Sequence, residues 1–257
     1  MTITDIGQVV DEFWAERQRG VHYPPQWFDR LDLDTAARVQ LGLLERELAA
    51  GERHAGWKVG LTAAAIREQF SVHEPVFGYL LQGRRHATGA VLDAAGIVQP
   101  GIENEICLRL GQPLQGPGVD FEAARAAIDA VAPAFEVTET RGDFTAQLAV
   151  SVADNVQQYG FVVGEWVPHD GGLDLSAVAA QVEINGEPVA SATSAAVMGS
   201  PVHSLVWLAN KLAAFDRRLE AGDQITAGSL TRQFLLQPGD RVHARYGGIG
   251  EVEMSLR

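Results

Sequence analysis

The sequence contains one cysteine, Cys107, in 257 residues. A lone thiol excludes an intramolecular disulfide framework and any cysteine-rich zinc site. Positive charge is also scarce, with 20 Lys and Arg against 33 Asp and Glu and a formal net charge of −13. Nucleic-acid phosphates call for a basic stripe, and anionic lipid attracts polybasic segments, so neither is an expected partner. No apolar run approaches the roughly 18 residues of a membrane-spanning helix. The start, Met1-Thr-Ile-Thr-Asp-Ile6, lacks a basic stretch followed by an apolar one, as a secretory signal would have. The seven histidines (22, 54, 73, 86, 169, 203 and 243) form no His-x-x-x-His pair, which removes the helical zinc-hydrolase motif. A Gly-x-Ser-x-Gly elbow, a phosphate loop and a dinucleotide fingerprint are missing too. What is left is an acidic globular chain, expected in the cytoplasm and long enough to bury a core without staples.

The apolar pattern organises that chain. Ile6, Val9, Val10, Phe13 and Trp14 make a single helical stripe over residues 4–20, stopped by Gly20 and Pro24-Pro25. A second helix starts at Asp34 or Thr35, carries Ala37, Leu41, Leu44 and Leu48 on one face, and stops at Gly51. Residues 57–62 read as a strand ending in a turn, with Thr62 capping a helix to Phe70. A further helix is expected over 120–131, and strands over 135–140 and 161–163. Asn185-Gly186 inside residues 182–189 signals a tight hairpin. Ser200-Pro201 opens a helix with Leu205, Leu208, Leu212 and Phe215 on its buried stripe, and residues 242–246 and 251–256 are β-segments. With no repeat, low-complexity tract or linker, the expectation is one α+β domain over 1–257, with a helical part at 1–55 and a mainly β body at 56–257.

Within that body, Ile102-Glu103-Asn104-Glu105-Ile106-Cys107-Leu108 carries the leading chemistry. On a strand, Glu103, Glu105 and Cys107 share one face, and the two carboxylates lie within roughly 7 Å. They repel unless water solvates them or a cation bridges them. Glu136, on the otherwise apolar strand Phe135-Glu136-Val137, is a third carboxylate able to complete such a site. Three carboxylates without histidine suit Mg²⁺ or Mn²⁺. The competing reading is a solvated strand face. Lys58, in Trp57-Lys58-Val59-Gly60, is either a surface lysine or a site lysine that anchors a substrate carboxylate or, with burial favouring its neutral form, transfers protons. Asp154-Asn155 is either a turn or a polar pair at a site. The Ser229 hydroxyl can bond a ligand oxygen, and Cys107 packs beneath the carboxylates.

Taken in order, Gly56-Trp-Lys58-Val-Gly-Leu-Thr62, Ile102-Glu-Asn-Glu105-Ile, Phe135-Glu136-Val, Val152-Ala-Asp-Asn155, Trp207-Leu-Ala-Asn-Lys211, Ala221-Gly-Asp and Gly228-Ser229-Leu resemble one family. It is the 2-oxopent-4-enoate hydratase / 4-oxalocrotonate decarboxylase family, within the fumarylacetoacetate hydrolase superfamily. The resemblance runs from about residue 36 to the carboxyl end. It implies a mixed β-sandwich or roll with flanking helices, a homo-oligomer, and Mg²⁺ or Mn²⁺ on Glu103, Glu105 and Glu136. It further implies catalytic roles for Lys58 and Asp154, with substrate contacts from Lys58, Leu61 and Ser229.

The implied reaction is addition of water to a 2-hydroxy-2,4-dienoate, tautomer of a 2-oxo-4-enoate, giving a 4-hydroxy-2-oxo acid in the meta-cleavage breakdown of aromatic compounds. Decarboxylation of a 2-oxo-3-enedioate is the alternative, because both reactions pass through a stabilised dienolate. A non-catalytic subunit associating with a pathway enzyme is the alternative of another kind. Hydratases of the family often read Pro-Asp-Phe-Gly where this chain has Pro75-Val76-Phe77-Gly78. That departure leaves room for the decarboxylase or for a longer substrate.

Overall fold

Asp5 and Asp32 begin the two leading helices by the same device, each carboxylate accepting a backbone N–H three residues on, from Gln8 and Thr35. The computed structural model containing them describes residues 5–69 and 71–257. Expectations for residue 4 and Phe70 fall outside the described residues. Helix α1 is Ile6–Gln18 and α2 is Leu33–Ala49. The second starts a little before the expected Asp34, because Asp32 is the residue whose side chain reaches the free N–H groups. Val9, Val10 and Phe13 of α1 pack with Val39 and Leu43 of α2, and with Val150 and Val152 of a short helix met later in the chain, in one cluster.

The β body follows as β1 (His54–Gly60), helix α3 (Ala64–Gln69), β2 (Val76–Leu81), β3 (Arg85–Ala87), β4 (Ala90–Leu92) and β5 (Pro100–Leu110). Next come α4 (Phe121–Ala127), β6 (Ile128–Glu139), α5 (Leu148–Ala153), β7 (Gln158–Val163), β8 (Val167–Pro168), β9 (Ala179–Ile184) and β10 (Glu187–Thr193). The chain ends with α6 (Pro201–Ala213), β11 (Gln224–Thr226), β12 (Phe234–Leu235), β13 (Arg241–Tyr246) and β14 (Gly250–Leu256). The larger sheet has the order β2-β1-β11-β5-β6-β7-β3, with β12 also on β5 and β8 also on β6. The smaller sheet is β10-β9-β13-β14-β4. Both are mixed, since β1–β11, β3–β7 and β4–β14 run parallel among antiparallel neighbours. This is the α+β architecture expected, two sheets with flanking helices.

The faces of β5 sort as its alternation predicts. Ile102, Ile106 and Leu108 enter the main core with Phe135 and Val137 of β6, Val182 and Val252 of the smaller sheet, and Leu205 and Leu208 of α6. Cys107 faces the other way, among Ala55, Leu80, Ala132 and Phe161. The hairpin turn carries left-handed backbone at Asn185 (φ 55°) and Gly186 (φ 84°), as a twist-matched tight turn requires.

Two expectations need correction. The helix expected over 120–131 ends at Ala127, and residues from Ile128 onward are strand. Ile128, Ala130 and Val131 are buried there and pair with β5 and β8, so long-range ladder formation overrides the helical preference of the alanines. The helix near Thr62 begins only at Ala64, and the Thr62 carbonyl instead accepts a bond from Arg67 Nη1 at 2.7 Å.

Candidate metal centre and active-site cavity

Antiparallel pairing of β5 with β6 sets Glu103 directly opposite Glu136, with Glu105 one pleat further along the same face. One carboxylate oxygen from each of the three lies within 4.8 Å of the others. Glu105 is 0 % exposed and Glu136 1 %, and Glu103 is half-buried, so the solvated-face reading does not hold. Burial first, then the Glu136 charge, pushes the Glu103 carboxyl up to about 7. Burial, then Glu136 and Glu103, drives Glu105 well above the carboxylate range. Such a cluster is costly to ionise without a cation.

The neighbouring groups answer that cost only in part. Lys58, 3 % exposed, places Nζ 2.9 Å from Glu136 Oε1 and donates to the Val156 carbonyl at 3.1 Å. It is a buried lysine, so the surface alternative is excluded. The Gly228 N–H donates to Glu105 Oε2 at 2.6 Å. Gly228 has φ +123°, and a Cβ there would sit 2.5 Å from Thr62 Cγ2, so glycine alone brings its amide this close. Glu105 Oε1 and Glu136 Oε2 are buried with no hydrogen-bond partner among the described residues. Orphaned carboxylate oxygens converging beside a single ammonium are the donor set of a hard divalent cation, and the residues present fit one.

Above the carboxylates opens a cavity of about 410 Å³. Lys58, Leu61, Glu103 and Ser229, all singled out in the sequence, line it. Leu61 turns the chain out of β1 with left-handed backbone (φ 57°), and Ser229 Oγ donates to the Thr231 carbonyl at 3.0 Å. Ile66, Phe144 and Val156 give the cavity an apolar side, whereas Thr138 and Arg232 give it a polar one. Cys107, two residues beyond Glu105 on the same face, is fully buried, and burial together with the Glu105 charge raises its thiol. Its role is packing.

Asp154 stands apart. It does not line the cavity of Lys58. Its carboxylate lies 2.8 Å from Arg17 Nη2, 2.7 Å from Arg141 Nε and 3.9 Å from His22 Nδ1. Burial alone would raise this carboxyl, but Arg141 and then Arg17 outweigh it and hold it below the usual range. The neighbouring Asn155 borders a second, polar cavity of about 290 Å³ lined also by Arg17, His22, Glu139 and Arg141. Sequence reasoning missed the Val156 carbonyl, the Gly228 amide and Arg141. The first two are backbone groups with no side-chain signature, although the Gly228-Ser229-Leu230 block marked the second. Thr138 was readable, because it shares the face of Glu136 two residues before it.

Residues 64–257 match the fumarylacetoacetate (FAA) hydrolase C-terminal family. The chain belongs to that family. Among its relatives, a 2-hydroxyhexa-2,4-dienoate hydratase of Comamonas testosteroni is 38% identical over 229 residues, covering 88% of this chain and 87% of that protein. A 4-oxalocrotonate decarboxylase of a Pseudomonas species is 36% identical over 228 residues, covering 88% of each. In structure, this fumarylacetoacetate hydrolase family member resembles 4-oxalocrotonate decarboxylase from Pseudomonas putida G7 complexed with magnesium and adipate. The TM-score is 0.92 and the identity 30%, over 100% of this chain and 99% of that one.

Proposed function

We propose that the chain is a divalent-metal-dependent hydratase that adds water to a 2-hydroxy-2,4-dienoate (a 2-oxo-4-enoate) and forms a 4-hydroxy-2-oxo acid. The observation that carries this reading is the cluster of Glu103, Glu105 and Glu136, which meets a half-apolar cavity through Glu103, with the Lys58 ammonium beside it. Magnesium or manganese on the three glutamates supplies Lewis acidity toward the oxygens of the 2-oxo acid head. Lys58 holds the substrate carboxylate and carries a proton at Nζ, kept in place by Glu136 and the Val156 carbonyl. Ser229 and Leu61 border the substrate, and Ile66 and Phe144 exclude water from its tail.

The helical front at 1–55 and the β body at 56–257 work as one domain in this reading, since Arg17 of α1 bonds Tyr79 of β2 and Asp154. The chain acts in the cytoplasm on a free small acid, as a homo-oligomer. A second reading, decarboxylation of a 2-oxo-3-enedioate, draws support from Val76, a buried aliphatic paired with Gly60 where many hydratases have aspartate.

Ultraviolet absorbance tests the assignment with 2-hydroxypenta-2,4-dienoate and 2-oxohex-3-enedioate, each with and without Mg²⁺ and with CO₂ trapped. Metal-dependent loss of the dienol band without CO₂ is expected. Release of CO₂ selects the decarboxylase, and full turnover after exhaustive chelation, with metal content verified as nil, overturns the metal site. No turnover and no metal binding would leave a non-catalytic subunit.

A further inference from the structure

Three successive residues between α5 and β7 hold left-handed backbone: Asn155 (φ 65°), Val156 (φ 52°) and Gln157 (φ 58°). Left-handed backbone is unfavourable for an L-residue, and a β-branched valine is the worst suited of the three. Conformations of this kind persist only where the surroundings over-determine them. Here the turn forms the wall between two cavities. Asn155 and Gln158 face the polar one, and Val156 and Gln157 face the cavity of Lys58.

Arg141 grips this turn at both ends. Its Nη2 donates to the Asp154 carbonyl, Nη1 donates to the Gln158 carbonyl at 3.1 Å, and Nε lies 2.7 Å from Asp154 Oδ2. Asn155 pins the middle to the outer edge of β2, accepting from the Tyr79 N–H at 2.8 Å and donating to the Tyr79 carbonyl at 3.1 Å. The Gln157 carbonyl accepts from the Glu139 N–H at 2.9 Å. With its neighbours tied in this way, the Val156 carbonyl points inward and accepts from Lys58 Nζ. Arg141 itself does not line the cavity of Lys58.

We infer that Arg141 is a positioning residue, whose three-point grip on residues 154–158 holds the Val156 carbonyl against Lys58 Nζ and so fixes the ammonium beside Glu136. Asp154 serves the same device, as the anion that seats Arg141 and ties it to Arg17 of α1. A planar guanidinium can donate to two carbonyls at once while pairing with a carboxylate, and a lysine ammonium would reach them as a single point. The inference rests on the proposed hydratase reading for its kinetic consequence and on geometry alone for its structural one.

Crystal structures of Arg141→Gln and Arg141→Lys, together with steady-state kinetics on 2-hydroxypenta-2,4-dienoate, test both. The Val156 carbonyl is expected to leave hydrogen-bonding reach of Lys58 Nζ. Displacement of a reacting group on this scale lowers kcat by roughly 10²-fold, with the Mg²⁺ concentration for half-activity nearly unchanged. A merely structural role would lower thermal stability and leave kcat per folded enzyme at the wild-type value, and that result overturns the inference. So does a variant structure with Val156 still bonded to Lys58. Should Arg141→Gln not fold, Arg141→Lys retains the charge against Asp154 and carries the same test. Should the wild-type protein fail to turn over any dienoate, the hydratase reading falls, and the variant structures still decide the positioning role.

Discussion

Glu105 has no exposure, two carboxylate neighbours and one oxygen without a hydrogen bond, so its charge is a liability in the metal-free protein. Glu105→Gln removes that charge and keeps an oxygen for the Gly228 N–H. The metal-free variant should therefore melt at or above the wild-type temperature, while the rise in melting temperature that Mg²⁺ gives the wild type disappears. Calorimetry with and without Mg²⁺ measures both, and an undiminished metal-induced rise would remove Glu105 from the ligand set.

His54 poses the opposite problem, a base held neutral. Burial pushes its imidazole down to about 4, and its Nε2 has no partner among the described residues. A folded-state value below the ordinary 6.5 means that the stability is present above pH 6.5 and lost as pH falls through about 4. The difference corresponds to roughly 3 kcal/mol at ~1.4 kcal/mol per pH unit. His54→Phe keeps the edge contact with Trp57, now 4.7 Å between ring centroids. Urea denaturation at pH 7 and pH 4.5 should show a smaller loss in the variant, and an equal loss would place the acid-sensitive group elsewhere.

Among the elements, the loop after β11 shows how tightly the site depends on backbone. Gly228→Ala adds a methyl that collides with Thr62 and forces an L-residue to hold φ +123°, a strain of about 1–3 kcal/mol. At roughly 2–4 °C per kcal/mol for a chain of this size, the melting temperature should fall by about 2–12 °C. Mg²⁺ affinity should weaken as well, because the amide leaves Glu105, and a fall in melting temperature with unchanged affinity would separate the loop from the site. Strands and helices of this body were readable from sequence where one element's own period decides its faces. The alternation in β5 placed Glu103, Glu105 and Cys107 on one side, and the stripe of α6 placed Leu205, Leu208 and Leu212. Where distant pairing decides, the sequence was silent or misleading. Ile128 to Val131 became strand through β5, and the turn at 155–157 is tied by Arg141, Tyr79 and Glu139, all distant in sequence. Asp154 illustrates the same limit, since the polar pair was visible and the side to which each side chain points was not.

For the whole molecule, the net charge of −13 sets how an anionic substrate approaches. Far from the surface the field repels it, and salt screens that field within about 8 Å at 0.15 M ionic strength. Near the cavity the sign would differ with metal bound, because Lys58 and Arg232 line it and a dication would offset Glu103, Glu105 and Glu136. The two fields predict opposite salt effects. If the global charge governs encounter, kcat/KM rises as ionic strength goes from about 10 mM to about 150 mM, and kcat stays level. A dianion such as 2-oxohex-3-enedioate then gains more than the monoanionic pentadienoate, since repulsion scales with charge. We expect the rise, because most surface charge lies beyond the cavity and, among the described residues, only two cationic side chains line its wall. The measurement requires metal at saturation at every salt concentration, so that screening of metal binding does not enter. A fall in kcat/KM with salt, steeper for the dianion, would instead mean that the local cationic field steers the substrate and that the acidic surface is too distant to oppose it.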